Sequence, residues 1–294
     1  MKHKTLRTLL CVILTVCFCL SAIVPASAAG LFGGDSGAAT GWDQLIRGLK
    51  DRFIEKNPGT DETPAEPMEG TGEDEFYRIV HLDCGRKYFS KDWIIALINE
   101  MSAHGYTHLE LANGNDGLRF LLDDMSIEGY DFSSDAVSEA IHKGNLEYNN
   151  RADKFNGQTY SSEKNELTES EMNEILKVAK KKNIEIIPLV NTPGHMDAIV
   201  TALGELGFTN YRYNGSVRTI NLENSNAVEF TKALIKKYAT YFKNNGCAIF
   251  NMGCDEYAND IYTTGSMGFG NLVTSGKYSL FVEYVNKLAK TVID

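Results

Sequence analysis

The stretch Thr168–Val190 reads as a helix followed directly by a strand. It opens with Thr168-Glu169-Ser170-Glu171, a capping box in which the threonine hydroxyl and the second glutamate each take up a free backbone N–H at the start of a helix. Met172, Ile175, Leu176, Val178 and Ala179 then recur at helical spacing, and Ile184-Glu185-Ile186-Ile187-Pro188-Leu189-Val190 is an apolar run of strand length.

The same alternation continues on both sides. Tyr77-Arg78-Ile79-Val80-His81-Leu82 is strand-like and ends at Asp83. A helix from Asp92 to His104, with Ser90 as its cap, presents Trp93, Ile94, Leu97, Ile98 and Met101 on one face. Gly105 stops it, and Thr107-His108-Leu109-Glu110-Leu111-Ala112 forms a second strand ending at Asn113. Phe120 to Glu166 shows turn signals and no clear period, and reads as an insertion. Asn224 to Asn244 is a long helix, Cys247 to Asn251 a fourth strand, and Lys277 to Val292 a last helix. Strands alternating with helices indicate parallel βα units. No GxGxxG follows the first strand and no GxxxxGK[ST] occurs, so the usual nucleotide-binding signatures are missing. The expected fold is therefore α/β, a (β/α)8 TIM barrel of which residues 76–294 hold about the first four βα units. Four units are half a barrel, so the sequence reads as part of a longer enzyme.

Residues 1–28 have the pattern of an export signal: Lys2, Lys4 and Arg7, an apolar Leu9 to Val24, and Ala26-Ser27-Ala28 as a cleavage site. Residues 29–75 are rich in Gly, Thr, Glu and Pro and read as a low-complexity spacer, with one short amphipathic helix at 42–54. A secreted or cell-surface protein is expected, with no membrane association once the signal is cleaved. The formal net charge of −10 becomes more negative when the three basic residues leave with the signal, which argues against nucleic acid and anionic membranes as partners. Three of the six cysteines leave too; Cys84, Cys247 and Cys254 read as free thiols packed near strands, with a Cys84–Cys254 bridge as the alternative. No Cys/His cluster has metal-ligand spacing, and no metal or cofactor is expected.

Polar residues lie beyond every strand. Asp83 and Arg86 follow the first; Asn113, Asn115, Asp116 and Arg119 the second; Asn191 and the turn Thr192-Pro193-Gly194-His195 the third; Asp255 and Glu256 the fourth. Barrel enzymes place their chemistry at this end of the strands. Each group also has a plainer reading: Asp83–Arg86 as a salt-bridged loop, Arg119 as a loop support, His195 as a structural hydrogen bond, Asp255-Glu256 as a helix-capping pair. His81 and His108 alternate within strands and read as packed.

Four segments carry a family resemblance: His81-Leu82-Asp83-Cys84-Gly85-Arg86-Lys87-Tyr88-Phe89-Ser90, Gly114-Asn115-Asp116-Gly117-Leu118-Arg119-Phe120-Leu121-Leu122-Asp123-Asp124-Met125, Thr192-Pro193-Gly194-His195-Met196-Asp197-Ala198, and Asp255-Glu256-Tyr257-Ala258-Asn259-Asp260. In this order they resemble the catalytic domain of glycoside hydrolase family 20, the β-N-acetylhexosaminidases. The second and fourth are especially similar to modules of streptococcal surface exo-β-N-acetylglucosaminidases. The family's usual His-x-Gly-Gly-Asp-Glu has Asn251 and Cys254 here, which reads as subfamily variation.

The resemblance implies an exo-acting retaining hydrolase of glycans ending in β-linked N-acetylglucosamine or N-acetylgalactosamine. The substrate's own acetamido oxygen would attack the anomeric carbon, which makes the family an exception to the two-carboxylate scheme. It implies Glu256 as general acid and then base, Asp255 as holder of the acetamido N–H, and Arg86 as a grip on sugar hydroxyls. His195 and Asp116, with Asn115 beside them, would tune the acid and bind substrate. A carboxylic acid that stays protonated near neutral pH needs a raised pKa, and burial beside Asp255 is expected to supply it. A non-catalytic sugar-binding or structural protein on the same fold is the alternative, and a glycosidase pairing Glu256 with a remote carboxylate such as Asp116 a weaker one.

Overall fold

A computed structural model describes residues 76–293, apart from 157–163 and 264. The expected signal at 1–28, the spacer at 29–75 and the short helix at 42–54 lie outside the described residues. In chain order the elements are β1 (Ile79–Leu82), α1 (Lys91–Ala103), β2 (His108–Asn115), β3 (Gly117–Leu118), α2 (Ser134–Asn156), α3 (Glu169–Lys181), β4 (Glu185–Thr192), α4 (Asp197–Glu205), α5 (Ser225–Asn244), β5 (Asn251–Gly253), β6 (Tyr262–Thr263), β7 (Ser266–Met267), α6 (Phe269–Thr274) and α7 (Tyr278–Ile293).

The local signals act where the sequence puts them. Ser90 Oγ accepts the Trp93 N–H at 3.3 Å and starts α1, and both halves of the Thr168–Glu171 capping box form at α3. Asn224 caps α5 by accepting the Ala227 N–H. The strands form one parallel sheet in the order β1-β2-β4-β5, with β3 folded back antiparallel on β2. The register pairs Leu82 with Leu111, Glu110 with Ile187, and Leu189 with Asn251. Leu109 and Leu111 of β2 and Ile186 and Val190 of β4 share one buried core with Ile94, Ile98 and Met101 of α1, Met172 and Ile175 of α3, and Phe230, Leu234 and Phe242 of α5. Burial stabilises by about 1.5–3 kcal/mol for each such aliphatic side chain. This core sets β2 and β4 rigidly at the middle of the sheet. Among the described residues no helix is long and apolar enough to cross a membrane.

Three expectations need correction, and two features were not expected. The segment read as an aperiodic insertion contains α2, a 23-residue helix. Its inner stripe is Val137, Ala140, Ile141, Gly144, Asn145, Asn149 and Ala152, which is helical spacing, but glycine and two asparagines hide the apolar period. The two asparagines are fully buried because they bond to the core: Asn145 to both backbone groups of Leu118, and Asn149 to Arg119. The fourth strand begins at Asn251, later than expected, and Cys247–Phe250 lies outside the ladder. That apolar run signals partial burial of Cys247 and Phe250 against the core, not strand pairing. His81 is exposed, not packed; it lies opposite Glu110 on the face away from the helices, with Nδ1 2.7 Å from Glu110 Oε2. Finally, α4 and the β6–β7 hairpin answer to no pattern read from the sequence.

Candidate active site

The polar residues beyond the four parallel strands assemble into two side-chain ladders, each with one member from every strand end. In the first, Asn115 Nδ2 donates to Asp83 Oδ2 at 2.8 Å, Asn191 Nδ2 donates to Asn115 Oδ1 at 3.3 Å, and Asn191 Nδ2 also donates to Asp255 Oδ1 at 2.6 Å. In the second, Arg86 Nε donates to Asp116 Oδ2 at 3.0 Å, His195 Nδ1 lies 2.7 Å from Asp116 Oδ1, and His195 Nε2 lies 2.8 Å from Glu256 Oε2. The structure thus brings together all six residues singled out from the sequence: Glu256, Asp255, Arg86, Asp116, His195 and Asn115. It adds Asp83 and Asn191, both noted at strand ends but given no role; their position one step from Asn115 and Asp255 appears only when the strands are side by side. Arg119, read as a support, is fully buried and donates to the Gly85 carbonyl and to Asn149.

The backbone holds these side chains in strained conformations. Asp116, His195 and Cys254 have φ of 64°, 51° and 69°, in the left-handed region that residues other than glycine adopt uncommonly. Two hydrogen bonds help hold the strain: Asp116 N–H donates to the His195 carbonyl at 2.6 Å, and Ala198 N–H donates to the Asp116 carbonyl at 2.8 Å. Two glycines allow the close approach. A Cβ on Gly85 would fall on the Asn115 backbone, and one on Gly194 would lie 2.7 Å from the Glu256 carbonyl oxygen.

Exposure grades along the second ladder. The side chains of Asp116 and His195 are 6% and 2% exposed, while Arg86 and Glu256 at its ends are 49% and 57% exposed. The interior of the ladder is fixed and its ends are open to a ligand. Burial alone would raise the Asp116 carboxyl, but the hydrogen bond and charge of His195, with Arg86 beside it, hold it below the ordinary carboxylate range. Burial likewise opposes charge on His195, and its bonds to Asp116 and Glu256 outweigh that and raise it. An ionised Asp116 fixes the proton on Nδ1, so Nε2 faces Glu256 and can share or pass a proton there. Asp83 is pushed up by burial.

The expected burial of Glu256 is not found. Asp255 and Glu256 are both exposed among the described residues; they follow β5, the edge strand of the sheet, which pairs with β4 only. What grips Glu256 is bonding: His195 Nε2 on one side and Asn259 Nδ2 at 2.8 Å. Cys84, Cys247 and Cys254 are free, so the alternative Cys84–Cys254 bridge does not form. Burial raises the Cys254 thiol to about 11, which leaves it protonated and a poor nucleophile. His195, Asp255 and Glu256 offer ligand atoms within 4.8 Å of one another, the arrangement among the described residues nearest to a cation site. Those side chains are already engaged by Asp116, Asn191 and one another, an arrangement that suits proton transfer.

Residues 76–292 match the domain described as glycosyl hydrolase family 20, catalytic domain. The chain is 30% identical over 131 residues to N,N'-diacetylchitobiase of Vibrio harveyi, covering 43% of this chain and 14% of that one. It is 29% identical over 90 residues to lacto-N-biosidase of Bifidobacterium bifidum, covering 31% and 8%. Among solved structures it is similar to StrH, a pneumococcal virulence factor and exo-β-D-N-acetylglucosaminidase with tandem family 20 modules, studied for N-glycan recognition and hydrolysis. That match has 38% identity and a TM-score of 0.66, and covers 74% of this chain and 51% of that one. The shared fold is of the α/β TIM-barrel type. The chain spans about half the length of this solved relative and a smaller share of the curated ones.

Proposed function

The chain belongs to glycosyl hydrolase family 20, and from that premise we propose that it serves an exo-acting, retaining β-N-acetylhexosaminidase. The substrates would be glycans ending in β-linked N-acetylglucosamine or N-acetylgalactosamine, hydrolysed with help from the substrate's acetamido group. The observation that carries this reading is the pair of ladders, which deliver Asp255 and Glu256 side by side at the end of β5 with different partners.

Glu256, joined through His195 to Asp116, protonates the leaving glycosidic oxygen and afterwards takes a proton from water. Asp255, steadied by Asn191, accepts the acetamido N–H and turns the acetamido oxygen toward the anomeric carbon. Arg86, anchored by Asp83 and Asp116, offers its remaining donors to sugar hydroxyls. Asn115, bonded to Asp83 and Asn191, orders the floor of the site. The strand–helix units described above are, on this reading, the first four of a (β/α)8 barrel, with residues 76–294 the N-terminal part of a catalytic domain exported behind a cleaved signal to the medium or the cell surface.

The separation of the two carboxylates leaves a second reading open. Oxygens within 4.8 Å approach the spacing of about 5 Å at which a retaining glycosidase uses one carboxylate as its own nucleophile. Family membership and the hold of Asn191 on Asp255 favour substrate assistance. The full-length protein should release nitrophenol from nitrophenyl β-N-acetylglucosaminide and leave the plain β-glucoside nearly untouched. Equal turnover of both glycosides would overturn the assisted mechanism, and no turnover of either would overturn the hexosaminidase assignment.

A further inference from the structure

Behind the second ladder lies a set of charges with no part in the chemistry above. α4 begins two residues after His195, and its first residue, Asp197, is 1% exposed, more deeply buried than any other carboxylate among the described residues. Asp197 Oδ1 accepts from Arg151 Nη2 of α2 at 2.5 Å. Asp197 Oδ2 faces Arg218 Nε at 3.9 Å, and both atoms are buried without a hydrogen-bond partner. A carboxylate so deeply buried is costly unless it is paired, and this one is fully paired on one side only. Its chain neighbours tie it to the site: Met196 N–H donates to the Arg218 carbonyl at 2.9 Å and Ala198 N–H to the Asp116 carbonyl at 2.8 Å.

We propose that Asp197 is a positioning residue that, held between Arg151 and Arg218, keeps the Asp116–His195 part of the proton relay in place and balances the guanidinium charge beside Asp116. The inference deepens the hexosaminidase reading and rests on its proton relay. The groups facing this centre are Asp83 and Arg86 from the loop after β1, Asp116 from the end of β2, Glu147, Tyr148 and Arg151 from α2, Arg218 from the loop before α5, and Asp255 and Glu256 from the loop after β5. Glu147 is occupied by Arg151 Nη1 and by Thr201, and Tyr148 stays neutral because burial and the nearby carboxylates raise it. Burial, then the charge of Asp116, pushes Asp197 above the ordinary carboxylate range, with Arg218 and Arg151 opposing. Arg218 in turn lowers Asp116. Three guanidiniums therefore share two buried carboxylates, and removing one carboxylate leaves Arg218 to draw on Asp116.

The test is Asp197→Asn and Arg218→Gln, singly and together, in the full-length protein. With Arg218 unopposed, Asp116 holds the His195 proton less firmly, so the His195 ring loses its charge at lower pH. The alkaline limb of kcat for nitrophenyl β-N-acetylglucosaminide should move down by about 1 pH unit in Asp197→Asn, with KM within about twofold of the parent. It should move up in Arg218→Gln, and the double variant should return toward the parent. The His195 ring titration, followed by NMR without substrate, should shift in the same directions. A folded Asp197→Asn with an unmoved His195 titration would overturn the proposal, as would a lower kcat with an unmoved limb. If Asp197→Asn does not fold, an unmoved His195 titration in Arg218→Gln overturns it alone. If the parent cleaves no N-acetylhexosaminide, the hexosaminidase reading fails while the His195 titration still decides the role of Asp197.

Discussion

The middle of the sheet and its β5 edge treat functional side chains in opposite ways. β2 and β4 have eight residues each, and their ends place Asp116, Asn115, Asn191 and His195 in near-complete burial with bonds on several sides. β5 has three residues, touches β4 at two register points, and ends in exposed Asp255 and Glu256. The two carboxylates proposed to act on the sugar therefore sit on the looser arm, and the groups that orient them sit on the rigid one. Packing fixes a side chain that can be surrounded. A side chain that must meet a ligand is left open on one side, so directed hydrogen bonds from a fixed neighbour have to aim it. His195 does this for Glu256 and Asn191 for Asp255.

The hardest test of this division is Glu256→Gln. It should lower kcat on nitrophenyl β-N-acetylglucosaminide by about 10²–10⁴-fold and leave thermal stability unchanged, since its side chain is exposed. A clear loss of stability would show that the edge arm carries structure as well as chemistry. Next, Asp116→Asn should change the pH dependence of stability. The folded state holds Asp116 below its ordinary value of 3.8, so its contribution is present above that pH and lost as pH falls through the folded value. His195 is raised above 6.5, so its contribution is present below that pH and lost as pH rises. The variant removes both, and its melting temperature should vary less with pH below 4 and above 6.5 than that of the parent; calorimetry across pH decides.

Smaller effects test the rigid arm. Asn145→Ala should cost about 1–3 kcal/mol in chemical denaturation, because it strands the N–H and carbonyl of Leu118 in the core. Gly144→Ala in a helix interior would ordinarily stabilise by about 1 kcal/mol. Here the new Cβ would fall on the Ala198 backbone, where α2 meets α4, so destabilisation by about 1–3 kcal/mol is expected instead. A stabilised Gly144→Ala would show that α2 is not seated tightly against α4. Lys91→Met, which removes an exposed ion pair with Glu174, should leave the denaturation midpoint nearly unchanged.

The helices α1, α3 and α5 were legible because their caps and apolar stripes lie within a few residues of one another. α2 was not, since its buried face uses Gly144, Asn145 and Asn149, residues whose burial makes sense only against Leu118, Arg119 and Ala198. Among site residues, Asp255 and Glu256 stood out as adjacent carboxylates after a strand. Asp197 did not, because a single aspartate at a helix start reads as an ordinary dipole partner, and Arg151 and Arg218 lie far from it in sequence.

The amino-acid sequence alone determined the strand–helix alternation and the set of polar residues at the strand ends, because caps, periodicity and turn chemistry act over a few residues. The tertiary structure alone decided which of those residues touch. Parallel pairing in the order β1-β2-β4-β5 turns four separated segments into two continuous ladders, and burial at the middle of the sheet sets the protonation of Asp116 and His195. Both are through-space effects, governed by the distances and surroundings that folding creates.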